Sequence, residues 1–128
     1  YQRMVKIFET LYSNSKYEVG EVTKSSDRFL VSVTVYPIDV IYRAEEGGIA
    51  AFQKSFSERA SRGEFDSLSD AEREELWADG IISEVEKNLD SIGYLDPVDI
   101  SLQVISDNDK YSLSYDDFVR MDELIIQY

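Results

Sequence analysis

Residues 13–16 (Ser-Asn-Ser-Lys) match S-x-x-K, and Ser106, Asp107 and Asn108 match S-D-N. These are two of the three signatures with which serine β-lactamases and penicillin-binding proteins assemble a nucleophilic serine. The third, K-T-G, is missing. The chain of 128 residues is also much shorter than such a domain, and both matches fall at predicted turns, so serine acyl transfer is not expected. Residues 107–117 (DNDKYSLSYDD) suggest a calcium loop. An EF-hand, however, needs an oxygen ligand at position 5, Gly at 6 and Glu at 12, and counting from Asp107 these places hold Tyr111, Ser112 and Phe118. A polar hairpin turn followed by a helix cap accounts for the same residues.

The chain has no histidine and no cysteine. Those absences remove the commonest general base, the thiol nucleophile and the usual zinc ligands together. Carboxylates remain in abundance, 26 Asp and Glu against 13 Lys and Arg. Two carboxylates about 5 to 9 Å apart, one with a raised pKa, would suffice for a glycosidase, but with so many acids some pairs at that spacing are inevitable. Tyr17, Tyr36, Tyr42, Tyr94, Tyr111 and Tyr115 could line a ligand groove; tyrosines at element margins more often pack with the hydroxyl in water. There is no glycine-rich phosphate loop, and Gly47-Gly48 alone does not make one. No catalytic, cofactor-binding or metal-binding residue is therefore assigned.

Periodicity shows which elements would position these residues. Met4, Val5, Ile7, Phe8, Leu11 and Tyr12 recur at helical spacing from the first turn, with no N-cap before them. The chain also opens on Tyr1, which predicts a helix entered partway and a natural polypeptide extending upstream, where any targeting segment would lie. Residues 16–23 and 28–35 read as a hairpin, the second strand alternating Phe29, Val31, Val33 and Val35 with Leu30, Ser32, Thr34 and Tyr36. Pro37 ends that strand or keeps it at an edge, and Asp39 is a candidate cap for the next helix.

Residues 40–62 turn helical, with Ile49, Phe52 and Phe56 at i, i+3 and i+7, Gly47 and Gly48 as a weak point and Gly63 as the stop. Ser69 and Glu72 form a capping-box pattern. Trp77, Ile81, Val85, Leu89 and Ile92 then make the longest apolar stripe, predicted to supply the central core element and to close at a left-handed Gly93. After Pro97 come a strand with Ile100, Leu102 and Val104, a turn at 107–109 and a return strand at 110–113. Ser114 or Asp116 caps a last helix bearing Phe118, Met121, Leu124, Ile125 and Tyr128 on one side. Adjacent strand pairs with helices between them predict an α+β fold, an antiparallel sheet of about four strands packed against helices, in a single domain of residues 1–128.

Four segments, VSVTVYPIDV, AAFQKSFSERA, ISEVEKNLDSIGYLDPVDISLQV and YSLSYDDFVRMDELIIQY, together resemble the carboxy-terminal part of a family of uncharacterised lipoproteins from Gram-positive bacteria. The resemblance runs from about Tyr17 onward. It is carried by the N-L-x-x-x-G-Y-x-x-P turn of residues 88–97 and the D-D-F-x-x-x-D-E-L-I-I-x-Y helix of residues 116–128. It implies secretion, a lipid on an upstream cysteine outside this sequence, and a cystatin-like or NTF2-like curved sheet around a helix. It carries over no site residue.

The expected function is a non-enzymatic, extracytoplasmic binding or interaction domain of a membrane-anchored lipoprotein. It would use a groove between sheet and helices for a protein, peptide or small-molecule ligand, without a cofactor. A net charge of −13 opposes nucleic acid and anionic lipid as direct partners, and no stretch approaches the roughly 20 apolar residues of a membrane span. Two alternatives from other classes are an acidic inhibitor that mimics nucleic acid and a small NTF2-like enzyme built on carboxylates and tyrosines.

Overall fold

The computed structural model describes residues 1–107 and 109–127. Asn108, the last member of the S-D-N match, and Tyr128, placed on the apolar side of the last helix, lie outside the described residues. Contacts divide the chain into a helical unit, Tyr1–Thr10 with Val40–Ile92, and a sheet unit, Leu11–Asp39 with Gly93–Gln127. The first helix, α1 (Gln2–Ser13), runs across the division.

In the helical unit, residues 40–61 form one helix in three parts: α2 (Val40–Ala44), a π-helical turn (Glu45–Ile49) and α3 (Ala50–Ser61). The Gly47-Gly48 pair weakens the α-helix, and here it widens the turn instead of breaking it. Gly63 stops the helix in the left-handed conformation at φ +82°. Its N–H reaches Ala60 O at 3.0 Å and the Glu64 N–H reaches Arg59 O at 3.1 Å, the pair of bonds that defines a Schellman end. Phe52, Phe56 and Trp77 then meet with ring centroids 5.2 to 5.6 Å apart, and Phe56 stacks on the buried Phe65 at 4.7 Å.

Helix α4 (Asp70–Lys87) begins with the expected box: Ser69 Oγ accepts the Glu72 N–H at 3.1 Å, and Glu72 Oε1 accepts the Ser69 N–H at 3.2 Å. Its far end differs from expectation. The α-helix stops at Lys87 and passes into a 3-10 turn (Asn88–Asp90), with Asn88 Nδ2 donating to Glu84 O at 2.9 Å. Gly93 is not left-handed, Gly63 being the glycine with positive φ. A Cβ at Gly93 would sit 2.7 Å from Asp39 Oδ2, so this glycine makes room for the carboxylate that accepts its N–H at 3.1 Å. The expectation of a central core stripe on α4 is also corrected. Val85 is its buried residue, while Trp77 stays 36% exposed against the phenylalanines.

The sheet unit carries β1 (Lys16–Ser25), β2 (Arg28–Tyr36), β3 (Val98–Asp107) and β4 (Lys110–Leu113), all antiparallel and in the order β1-β2-β3-β4. This is the predicted α+β arrangement of four strands with helices. Cross-strand register puts Val31, Val33 and Val35 beside Leu102, Ile100 and Val98 on one face. There Val33, Val35 and Leu102 are buried, and Met121, Leu124 and Ile125 of α5 (Tyr115–Ile125) pack over them. The last helix covers the sheet, whereas the sequence had pointed to α4 as the central core element.

β1 is exposed throughout, and its pairing slips between Val19 and Val22, a bulge that blunts a long edge. Beyond Pro37, the fully buried Ile38 bridges Tyr94 on one side and Ile126 on the other. Ile38 N–H donates to Ile125 O at 2.8 Å, Gln127 N–H to Ile38 O at 3.1 Å, and Leu95 N–H to Pro37 O at 2.8 Å.

Asp117 is the buried acid of the sheet unit. Ser114 caps α5, its Oγ accepting the Asp117 N–H at 3.2 Å, and this frees the Asp117 carboxylate to accept the Gln103 N–H of β3 at 2.7 Å.

Candidate functional site

The helical unit holds an apolar cavity of about 220 Å³. Met4, Ile7 and Phe8 reach it from α1, Ile41 from α2, Glu45 and Ile49 from the π turn, and Ile81, Ile82 and Val85 from α4. In a regular helix of 3.6 residues per turn, positions 41, 45 and 49 drift around the axis by about 40° at each step of four. The wider π turn between 45 and 49 counters that drift, so all three side chains face the same space. Gly48 lies in the same turn, and a Cβ there would collide with the Glu84 carboxylate of α4. The turn is thus fitted to the helix it packs on.

Arg3 fastens α1 to α4 beside the cavity. Its Nε donates to Glu86 Oε1 at 3.0 Å and one Nη to Ser83 Oγ at 3.0 Å, with further ion pairs to Asp79 and Glu86. Hydrogen bonding to Glu86, and then to Asp79, raises the Arg3 pKa still higher. Glu45 is the polar side chain of the lining and makes no hydrogen bond or ion pair among the described residues. With one carboxylate and eight hydrophobic groups, the site can enclose an apolar body and accept a hydrogen bond or a positive charge at one point.

Two other hollows are less suited. An open trough of about 350 Å³ is lined by Leu68, Glu72, Glu75, Leu76 and Asp79, but Glu72 is committed to the helix cap and Asp79 to Arg3. In the sheet unit, Ile100, Arg120, Glu123 and Leu124 border a hollow of about 240 Å³ between β3 and α5.

The architecture has a solved counterpart. A crystal structure of YcdA, a candidate lipoprotein of Bacillus subtilis, superposes with a TM-score of 0.61 over 99% of this chain at 18% identity. The chain spans 38% of that protein's length. No family model matches the sequence, and no curated protein does. At this identity the likeness speaks for the fold.

The residues singled out in the sequence end up apart. Ser13 closes α1 and Lys16 opens β1 opposite Tyr36, whereas Ser106 sits beyond the Arg28 end of β2, where its N–H donates to Asp27 O. The S-x-x-K match and Ser106 with Asp107 thus lie at opposite ends of the sheet. The supposed calcium loop is divided as well, since Asp107 pairs with Lys110 across a hairpin and Asp117 points its carboxylate at β3. Among the described residues no group of three or more acids is placed to hold a metal ion. Of the six tyrosines, Tyr36 and Tyr94 converge around the Lys16 ammonium, at 4.4 and 5.5 Å from the ring centres. Ile41, Glu45 and Ile82 had not been marked. The Gly-Gly pair inside a helical pattern, with Ile41, Glu45 and Ile49 four apart, is the signal that points to them.

Proposed function

We propose that this chain is a non-enzymatic binding domain of an extracytoplasmic, membrane-anchored lipoprotein, and that it holds a small-molecule ligand in the cavity of the helical unit. The observation that carries the reading is the lining itself, eight hydrophobic side chains around one carboxylate. A retaining or inverting glycosidase needs a second carboxylate, and among the described residues the lining holds Glu45 alone. The lipoprotein setting is supported by the likeness to YcdA and by the sequence resemblance to Gram-positive lipoproteins. The four-stranded antiparallel sheet with a helix on one face favours a cystatin-like or NTF2-like relation. No helix among the described residues is long and apolar enough to cross a membrane, and it is the lipoprotein resemblance that supplies the anchor, a lipid on an upstream cysteine. A charge of −13 disfavours nucleic acid and anionic lipid as direct partners.

Two experiments test this. In the producing bacterium, the full-length protein should incorporate radiolabelled palmitate and fractionate with membranes, and replacing the lipobox cysteine should abolish both; a product released into the cytosol without label would refute the setting. A panel of chromogenic esters, phosphates and glycosides should give no turnover. Turnover lost on replacing one Asp or Glu, and not its neighbours, would overturn the non-enzymatic reading.

A further inference from the structure

We infer that the cavity takes a small primary amine with an apolar body of about phenyl size, its ammonium held by Glu45. The inference rests on the proposed binding role of this cavity and specifies the chemistry of its occupant. Ligand sites fix orientation through a few polar groups set in an apolar lining, and here that group is a carboxylate, which can only accept. The occupant must therefore donate.

Charge then separates an amine from a neutral donor. The chain carries −13, which concentrates cations at its surface and repels carboxylates and phosphates. Among the described residues no Lys or Arg side chain lines the cavity to offset Glu45. Because Glu45 is exposed at the rim, an ammonium there keeps part of its hydration, and the desolvation that makes buried ion pairs costly is largely avoided.

Size limits the rest of the molecule. A dry apolar cavity of about 150 Å³ accepts benzene, so about 220 Å³ suits a phenyl ring with a short chain to the amine and is small for a drug-sized ligand. Ile7, Ile49 and Val85 form buried walls, and Met4, half exposed and flexible, can close over a ring of this size. The π turn places the two components in register, Ile41 and Ile49 against the ring and Glu45 between them towards the amine.

The test uses methyl-labelled protein and three probes of one shape: 2-phenylethylamine, 2-phenylethanol and 3-phenylpropionate. The amine should shift the methyl resonances of Ile41, Ile49 and Val85 and bind more tightly than the alcohol, and the propionate should bind most weakly. Glu45→Gln should weaken the amine about fivefold, the worth of a partly exposed ion pair, and leave the alcohol unchanged. Raising sodium chloride should weaken the amine alone. If the alcohol matches the amine, or Glu45→Gln leaves the amine unaffected, the amine inference falls and the cavity remains a binding site. If none of the three probes moves those methyls while the protein is folded, the binding role of the cavity falls with it.

Discussion

Replacing Asp117 by Ala should be among the costliest single changes in the sheet unit. The carboxylate is buried, its side chain 11% exposed, and it accepts the part-buried Gln103 N–H at 2.7 Å. A hydrogen bond to a charged group contributes about 1.5 to 3 kcal/mol, and the donor left behind in β3 loses its partner. Position in the first turn of α5 adds about 0.5 kcal/mol through the helix dipole. The Arg120 guanidinium lies 3.7 Å away and is half exposed, so it contributes a few tenths of a kcal/mol at most. Together these give about 3 kcal/mol. For a chain of 128 residues the unfolding entropy is about 0.27 kcal/mol/K, which converts that loss into a fall of about 11 °C in Tm. Asp117→Asn keeps an acceptor of the same shape and should lose only about 1 kcal/mol. Asp116→Ala, on the exposed side of the same turn, should change Tm by less than about 2 °C. Circular dichroism melts give the three values, and amide exchange at Gln103 should accelerate in Asp117→Ala. Equal melting of the alanine variant and the parent, or an asparagine variant weaker than the alanine one, would refute the reasoning.

Three further outcomes are expected. Ser69→Ala should cost about 1 kcal/mol by removing the cap of α4, read in urea unfolding followed by the fluorescence of Trp77. The backbone N–H of Ser69, and then its hydroxyl, hold the Glu72 pKa below its ordinary 4.5; Glu72's share of the cap is therefore fully present above that value and is lost as pH falls through the lower folded pKa, so the penalty of Glu72→Ala should shrink in acid, and a Glu72→Ala penalty that stays constant would contradict the box. Val85→Asp should cost more than about 3 kcal/mol, because it places an unpaired charge at an 8% exposed position, and parent-like melting would show that α4 does not seal the helical unit. With a net charge of −13, moderate sodium chloride should raise Tm by screening over a Debye length of about 8 Å, and an unmoved Tm would mean that the acids are already paired or too widely spread to repel.

Where pattern and partner are both local, the sequence was enough. The alternation of β2, the Ser69-Glu72 box and the Gly63 stop are each decided within a few residues, and each stands in the structure as expected. The errors came where a distant group settles the outcome. Gly93 looked like a helix stop, yet its role is set by Asp39, 54 positions earlier, whose carboxylate needs the space a side chain would fill. The stripe on α4 looked like the central core, because periodicity reports that a face is apolar and not what will cover it. The valines of β2 are covered by α5, a helix with its own apolar stripe at Met121, Leu124 and Ile125, and nothing in either pattern says which helix the sheet will choose.

The candidate site was harder to see for a related reason. Searching for chemistry favours residues that could react, and this chain's acids, serines and tyrosines drew attention to turns and strand margins where the fold keeps them apart. Most walls of the cavity were legible as apolar faces, Met4, Ile7 and Phe8 in α1, Ile49 in the π turn, and Ile81 and Val85 in α4. The part that makes them a site was not. Two glycines in the middle of a helix cost about 1 kcal/mol each relative to alanine, so a helix that tolerates both at Gly47-Gly48 without breaking has its geometry fixed by packing. That packing is the approach of Glu84 to Gly48, and the wider turn it accompanies is what turns Glu45 towards the apolar walls. In this chain the glycine pair inside an otherwise continuous helical pattern marks a π turn, and what the turn brings to the cavity is its first residue, Glu45, with Ile41 and Ile49 four positions to either side of it.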